Sequence, residues 1–124
     1  MLSTGVDIIE IKRIAAVLER YGDRFLSRIY TLGELEYCRG RPSKLASRFA
    51  AKEATMKALG TGVRGVGWKD IEVVRARSGA PSIRLTGRAL KRFESLGLSH
   101  LALSMSHTRS YAVAMVVGHT EPAE

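Results

Sequence analysis

The sequence predicts one α+β domain, a small and mostly antiparallel sheet packed on a long central helix. Three observations carry that expectation. From Ser43 to Leu59 the chain is dense in Ala, Lys, Glu, Leu and Met, with no Gly or Pro. Leu101–His107 and Tyr111–Val117 each alternate in residue size around Thr108-Arg109-Ser110, the pattern of a hairpin. Asp70–Arg75 and Ile83–Leu85 repeat it on a smaller scale around the turn residues Ser78–Ser82.

Taken in order, Leu2–Ile9 has the β-branched content of a strand, with Asp7 out of place inside it. Asp7 reads either as a cap for the next helix or as a ligand at the strand's end. Ile11–Tyr21 is an amphipathic helix, apolar through Ile11, Ile14, Ala15, Leu18 and Tyr21, and Gly22 ends it. A short run around Phe25 and Ile29 continues its basic surface. Thr31 and Glu34 form a capping box that opens a helix to about Arg39. Gly40-Arg41-Pro42 is the loop before the central helix, for which Ser43 is the expected N-cap. Gly60 and Gly62 stop that helix and begin the segment GTGVRGVG. Glycines after a helix let backbone N–H groups approach a phosphate, although this run lacks the Walker spacing. Thr86 or Gly87 caps a last helix, which Gly97 ends. Residues 1–118 form the expected domain and residues 119–124 a frayed tail.

Composition narrows the class. With 124 residues, 45% hydrophobic and 26% charged, the chain is an ordinary globular domain with a real core. No apolar run is long enough to span a membrane, and the first residues do not read as a signal peptide. A single cysteine excludes a disulfide framework and fits a cytoplasmic setting. The net charge of +8 calls for an anionic partner: nucleic acid, a phosphate-rich small molecule or an acidic protein. The low aromatic content, with no aromatic-basic interleaving, disfavours nucleic acid.

Charge placement in the central helix is unusual. Leu45, Phe49, Met56 and Leu59 share an arc of about 80°, Lys52 falls inside it, and Glu53 lies about 40° from Phe49. Burying such charges is costly unless a partner, metal or ligand compensates them. The alternative is that Ala50, Ala51, Ala54 and Ala58 face the protein, leaving Lys52 solvated and Glu53 with Lys57 as a surface pair. Two carboxylates, Asp7 and Glu53, are too few for a protein-only metal cage but suit Mg²⁺ shared with phosphate oxygens.

The motifs GVDIIEIKRI (Gly5–Ile14), SRFAAKEATMKALGTG (Ser47–Gly62), WKDIEV (Trp68–Val73), GAPSIRLTG (Gly79–Gly87) and SMSHTRSYAVAMVV (Ser104–Val117) span nearly the whole chain. In that order they resemble the holo-acyl carrier protein synthases, the small 4′-phosphopantetheinyl transferases. The resemblance implies an enzyme that moves the phosphopantetheine arm of coenzyme A onto a serine of an acidic apo-acyl carrier protein, assembled as a homotrimer with sites between subunits. It implies Asp7 and Glu53 as ligands of Mg²⁺ (or Mn²⁺), and Lys57 as a contact for the pyrophosphate. Arg48, Lys52, Gly60, Thr61, Gly62, His107 and Thr108 follow as the rest of the nucleotide site. Arg13, Arg20, Arg24 and Arg28 follow as the carrier-protein face. His100 and His119 match nothing functional in the family. A non-catalytic basic module is the competing class, separated by the carboxylates: without a cation between them, they repel the same anion that the basic residues attract.

Overall fold

The computed structural model describes residues 1–63 and 65–121. The elements run β1 (Leu2–Glu10), α1 (Ile11–Tyr21), α2 (Asp23–Ile29), α3 (Leu32–Cys38) and α4 (Pro42–Ala58). After a single 3₁₀ turn at Trp68–Asp70 come β2 (Ile71–Arg75), β3 (Pro81–Leu85), α5 (Gly87–Ser95), β4 (His100–His107) and β5 (Tyr111–His119). β1, β5 and β4 form one antiparallel sheet in that order, and β2 with β3 forms a separate hairpin. The expected α+β architecture is therefore present, with its sheet content divided in two.

Helix α4 lies across the three-stranded sheet and is buried almost all round. The alanine face and the apolar arc are both inside, since Ala50, Ala51, Ala54, Leu45, Met56 and Leu59 are all buried. Residues 3, 5, 7 and 9 of β1 face the helix, because strand side chains alternate and Gly5 and Ile9 are buried while Val6 and Ile8 are exposed. At Gly5 the two elements touch through backbone. A Cβ there would stand 1.9 Å from the Ala54 carbonyl oxygen and 2.8 Å from the Ala58 nitrogen.

Four sequence expectations change. Ser43 is not the N-cap of α4: Arg41 is, and Pro42 occupies the first helical position, where its fixed φ fits and its missing N–H costs nothing. Asp7 does not cap α1, whose N-cap is Glu10; it pairs with Ala114 well inside β1. His119 belongs to β5, paired with both Leu2 and His100, so the strand continues past residue 118. Of the expected tail, residues 122–124 lie outside the described residues.

Lys52 is the fourth. It is neither solvated nor open to a ligand, having no exposed surface. Its Nζ lies 2.7 Å from Glu34 Oε1 and donates to the carbonyls of Trp68 and Ile71. Burial pushes this ammonium below its ordinary range while Glu34 pulls it back up. Glu34 accepts in turn from the N–H of Thr31, within the expected capping box, and from that of Val73. Its donors spent, Lys52 is a structural residue.

The alanine variant Gly5→Ala tests the backbone contact. We expect it to lose at least about 3 kcal/mol in urea unfolding, the upper end of overpacking costs. A loss below about 1 kcal/mol would mean that β1 and α4 separate freely.

Candidate active site

The contact at Gly5 sets the first site. Two residues along the same face of β1, Asp7 looks toward the flank of α4 that carries Glu53 and Lys57. Asp7 and Glu53 line one cleft of about 240 Å³ with Arg13, Ile14, Phe25 and Phe49. Lys57 is half-exposed at its edge; its Nζ donates to the Val6 carbonyl at 2.9 Å and stands 3.4 Å from Asp7 Oδ1. Burial first, then the charge of Asp7, raises the pKa of Glu53 above the ordinary carboxylate range, while Lys57 opposes the shift. Two carboxylates held together against repulsion are a donor set suited to one hard divalent cation that also takes phosphate oxygens. Among the described residues no third Asp, Glu, His or Cys joins them.

The arginines of α1 and α2 extend this site outward. Arg13 lines the carboxylate cleft, and Arg24 and Arg28 line an adjoining hollow of about 410 Å³ with Tyr21 and Phe25. Phe25 is common to both. Arg20 lines neither and instead stacks its guanidinium 5.4 Å from the Tyr21 ring.

Arg48 and His107 lie elsewhere. Five residues separate Arg48 from Glu53, which turns it about 140° around the helix. It lines a second cleft of about 280 Å³ with His107, Lys44 and Arg75. Within one chain α4 stands between the two clefts, with β1 on one flank and β4 on the other. Thr108 is exposed, and its Oγ1 accepts from the N–H groups of Ser110 and Tyr111, which shapes the β4–β5 turn.

The glycine segment needs a correction. Gly60 takes φ +69°, and its N–H donates to the Lys57 carbonyl while that of Thr61 donates to Met56, closing α4 in a Schellman motif. Both N–H groups are consumed by the helix end, so neither Gly60 nor Thr61 presents a backbone donor to a phosphate. Gly62 keeps its N–H unengaged among the described residues. Arg64 of the same segment lies outside them.

Sequence reasoning missed Tyr37, Lys44 and Arg75. Lys44 had a signal, lying four residues before Arg48 on the same helix face. Arg75 and Tyr37 had none, since only the fold brings β2 to that cleft and sets the α3 ring against Arg48 and Arg75.

Removing the charge of Glu53 tests the electrostatics. A carboxyl whose pKa is raised on folding stabilises least above that pKa, so the metal-free chain loses stability as pH rises through it. In EDTA, Glu53→Gln is expected to melt above the parent at about pH 7, and the gap should close toward about pH 4. A variant that melts at or below the parent at both pH values would contradict the repulsion.

Comparison with known proteins bears on the sequence and the fold. Residues 3–116 match the family model described as the 4′-phosphopantetheinyl transferase superfamily. The holo-[acyl-carrier-protein] synthase of Gloeobacter violaceus is 54% identical over 116 residues, covering 90% of this chain and 88% of that protein. The one from Koribacter versatilis is 50% identical over 121 residues, covering 94% and 97%. The crystal structure of the Neisseria meningitidis synthase superposes with a TM-score of 0.87 at 38% identity, covering 95% of this chain and 98% of that one. The Helicobacter pylori synthase in complex with coenzyme A gives 0.85 at 32% identity, covering 93% and 98%. Matched by motif, by whole-length identity and by fold, this chain belongs to the 4′-phosphopantetheinyl transferase superfamily.

Proposed function

We propose that the protein is a holo-acyl carrier protein synthase. It transfers 4′-phosphopantetheine from coenzyme A to a serine of an acidic apo-acyl carrier protein, in the cytoplasm and for fatty acid biosynthesis. The observation that carries this reading is the pair Asp7 and Glu53 lining one cleft in a protein of net charge +8. A module that only bound anions would gain nothing from two carboxylates there.

In the reaction the serine Oγ attacks the phosphorus that bears the pantetheine arm. The bond from that phosphorus to the oxygen of the adenosine half breaks, leaving adenosine 3′,5′-bisphosphate, and the serine proton passes to a base at the site. Asp7 and Glu53 would hold Mg²⁺ (or Mn²⁺), which supplies charge neutralisation to the transferring phosphoryl group. Lys57 donates two of its ammonium hydrogens, to the Val6 carbonyl and to Asp7 Oδ1, and keeps the third for the pyrophosphate. Arg13, Arg24 and Arg28 take the acidic carrier, speeding encounter in a salt-dependent way, with Arg20 at their margin.

Arg48 and His107 serve the adenosine half from a second subunit. This is supported by their separation from Asp7 across α4 and by an apolar outer sheet face that the single chain leaves open. On that face Val6 is 56% exposed, Ile8 63% and Met115 50%, more than a lone soluble domain usually leaves contiguous. β1 is also an edge strand with one side unpaired. We read this assembly as a homotrimer with three interfacial sites.

Intact-mass spectrometry of apo-acyl carrier protein incubated with coenzyme A and Mg²⁺ tests the reaction. We expect a gain of one phosphopantetheine, lost with EDTA and lost with Asp7→Ala; no gain with several carriers would refute the activity. Light scattering tests the assembly: the mass should be that of three chains, and Ile8→Asp should yield smaller species with little transfer. A fully active monomer would sink the shared-site reading.

A further inference from the structure

The second cleft holds cations that no carboxylate answers. Arg48 is 3% exposed, yet neither it nor Lys44 nor Arg75 forms an ion pair with any described residue. A buried guanidinium without a counter-charge is costly, so something else must hold it in place. What faces it is the ring of Tyr37. The Arg48 guanidinium carbon lies 4.3 Å from the ring centroid, that of Arg75 5.1 Å and that of Arg41 5.8 Å. The negative face of an aromatic ring attracts such groups, and one ring here gathers three that repel each other.

The surroundings fix the arrangement. Arg75 is anchored through Nη1 to the Gly79 carbonyl at 2.6 Å, and Arg41 through Nε and Nη2 to the carbonyls of Cys38 and Tyr37. Arg48 and Arg75 both line the His107 cleft and a smaller one of about 180 Å³, so they form the wall between the two. Tyr37 and Glu72 lie on the side of the smaller cleft, away from His107. Burial pushes the Tyr37 hydroxyl up, but Arg75, Arg48 and Lys44 outweigh it and hold the phenol below the ordinary tyrosine range.

We propose that Tyr37 is a positioning residue, its ring holding Arg48 and Arg75 together beside His107 as a ready seat for a phosphate monoester. Building on the transferase reading, the monoester is the 3′-phosphate of the nucleotide. Lys44, Arg48 and Arg75 bring three positive charges to this cleft. A dianionic monoester gains about twice the attraction of a singly charged diester there. Guanidinium forks also match phosphate oxygens in pairs.

Calorimetric titration with coenzyme A and with dephospho-coenzyme A, which lacks only the 3′-phosphate monoester, tests this without any turnover. The parent protein should prefer coenzyme A. Tyr37→Leu should lose at least about tenfold of that preference, dephospho-coenzyme A binding staying the same, while Tyr37→Phe retains the ring and the preference. Should Tyr37→Leu fail to fold, Arg75→Gln is the second test and should weaken coenzyme A binding alone. An unchanged preference in Tyr37→Leu, or in Arg75→Gln, overturns the proposal. A parent protein with no preference also overturns it, whereas a failure of phosphopantetheine transfer to the carrier strikes the activity reading and leaves this readout standing.

Discussion

The molecule depends on the backbone contact between β1 and α4 at Gly5. A strand and a helix seldom come this close, because a side chain normally stands between them. Here the strand offers a hydrogen atom at Gly5, and the helix offers only methyl groups from Ala54 and Ala58. Lys57 ties the same junction from outside by its hydrogen bond to the Val6 carbonyl. Because the backbones meet, Asp7 comes level with the carboxylate of Glu53. The alanine content of the helix is thus a packing requirement as well as a propensity.

A second constraint sets the other half of the molecule. Lys52 and Glu34 together bind α3, α4, the 3₁₀ turn and β2 through charge-assisted bonds that leave no ammonium or carboxylate partner lacking. Desolvation offsets much of the attraction in such a pair, so its net stabilisation is small. Its effect is geometric: it fixes where the β2–β3 hairpin sits against α4, and so brings Arg75 to the flank that Arg48 occupies.

Much of this was legible in the sequence. The bounds of α1, the capping box of α3, the stop at Gly60 and both hairpins follow from local chemistry that acts within a few residues. The oddity of Lys52, inside an apolar arc, was also visible, but its partner Glu34 lies on another helix and no local rule finds it. Pro42 misled because a proline two residues after a glycine resembles a loop when it also suits the first turn of a helix. The glycine segment misled differently: its N–H groups looked free until the end of α4 claimed two of them. Sterics at Gly5, like the gathering of arginines about Tyr37, exist only once distant segments meet.

The pairing of β1 with β5 has a consequence for how the chain is made. Glu10 pairs with Tyr111 and Leu2 with His119, so the first strand synthesised waits for the last. At ~5–20 residues per second, the roughly 100 residues between them take on the order of 5–20 s to emerge. Throughout that interval β1 is a strand with Val6 and Ile8 on one side, Ile9 on the other, and no neighbour. Alpha helices 1 to 4 are complete well before β5 exists, and among them α4, through its alanine groove, gives β1 its broadest early shelter, with α1 touching it as well. Sheet formation during synthesis is therefore gated by β5, and the risk of mispairing lasts until that strand emerges.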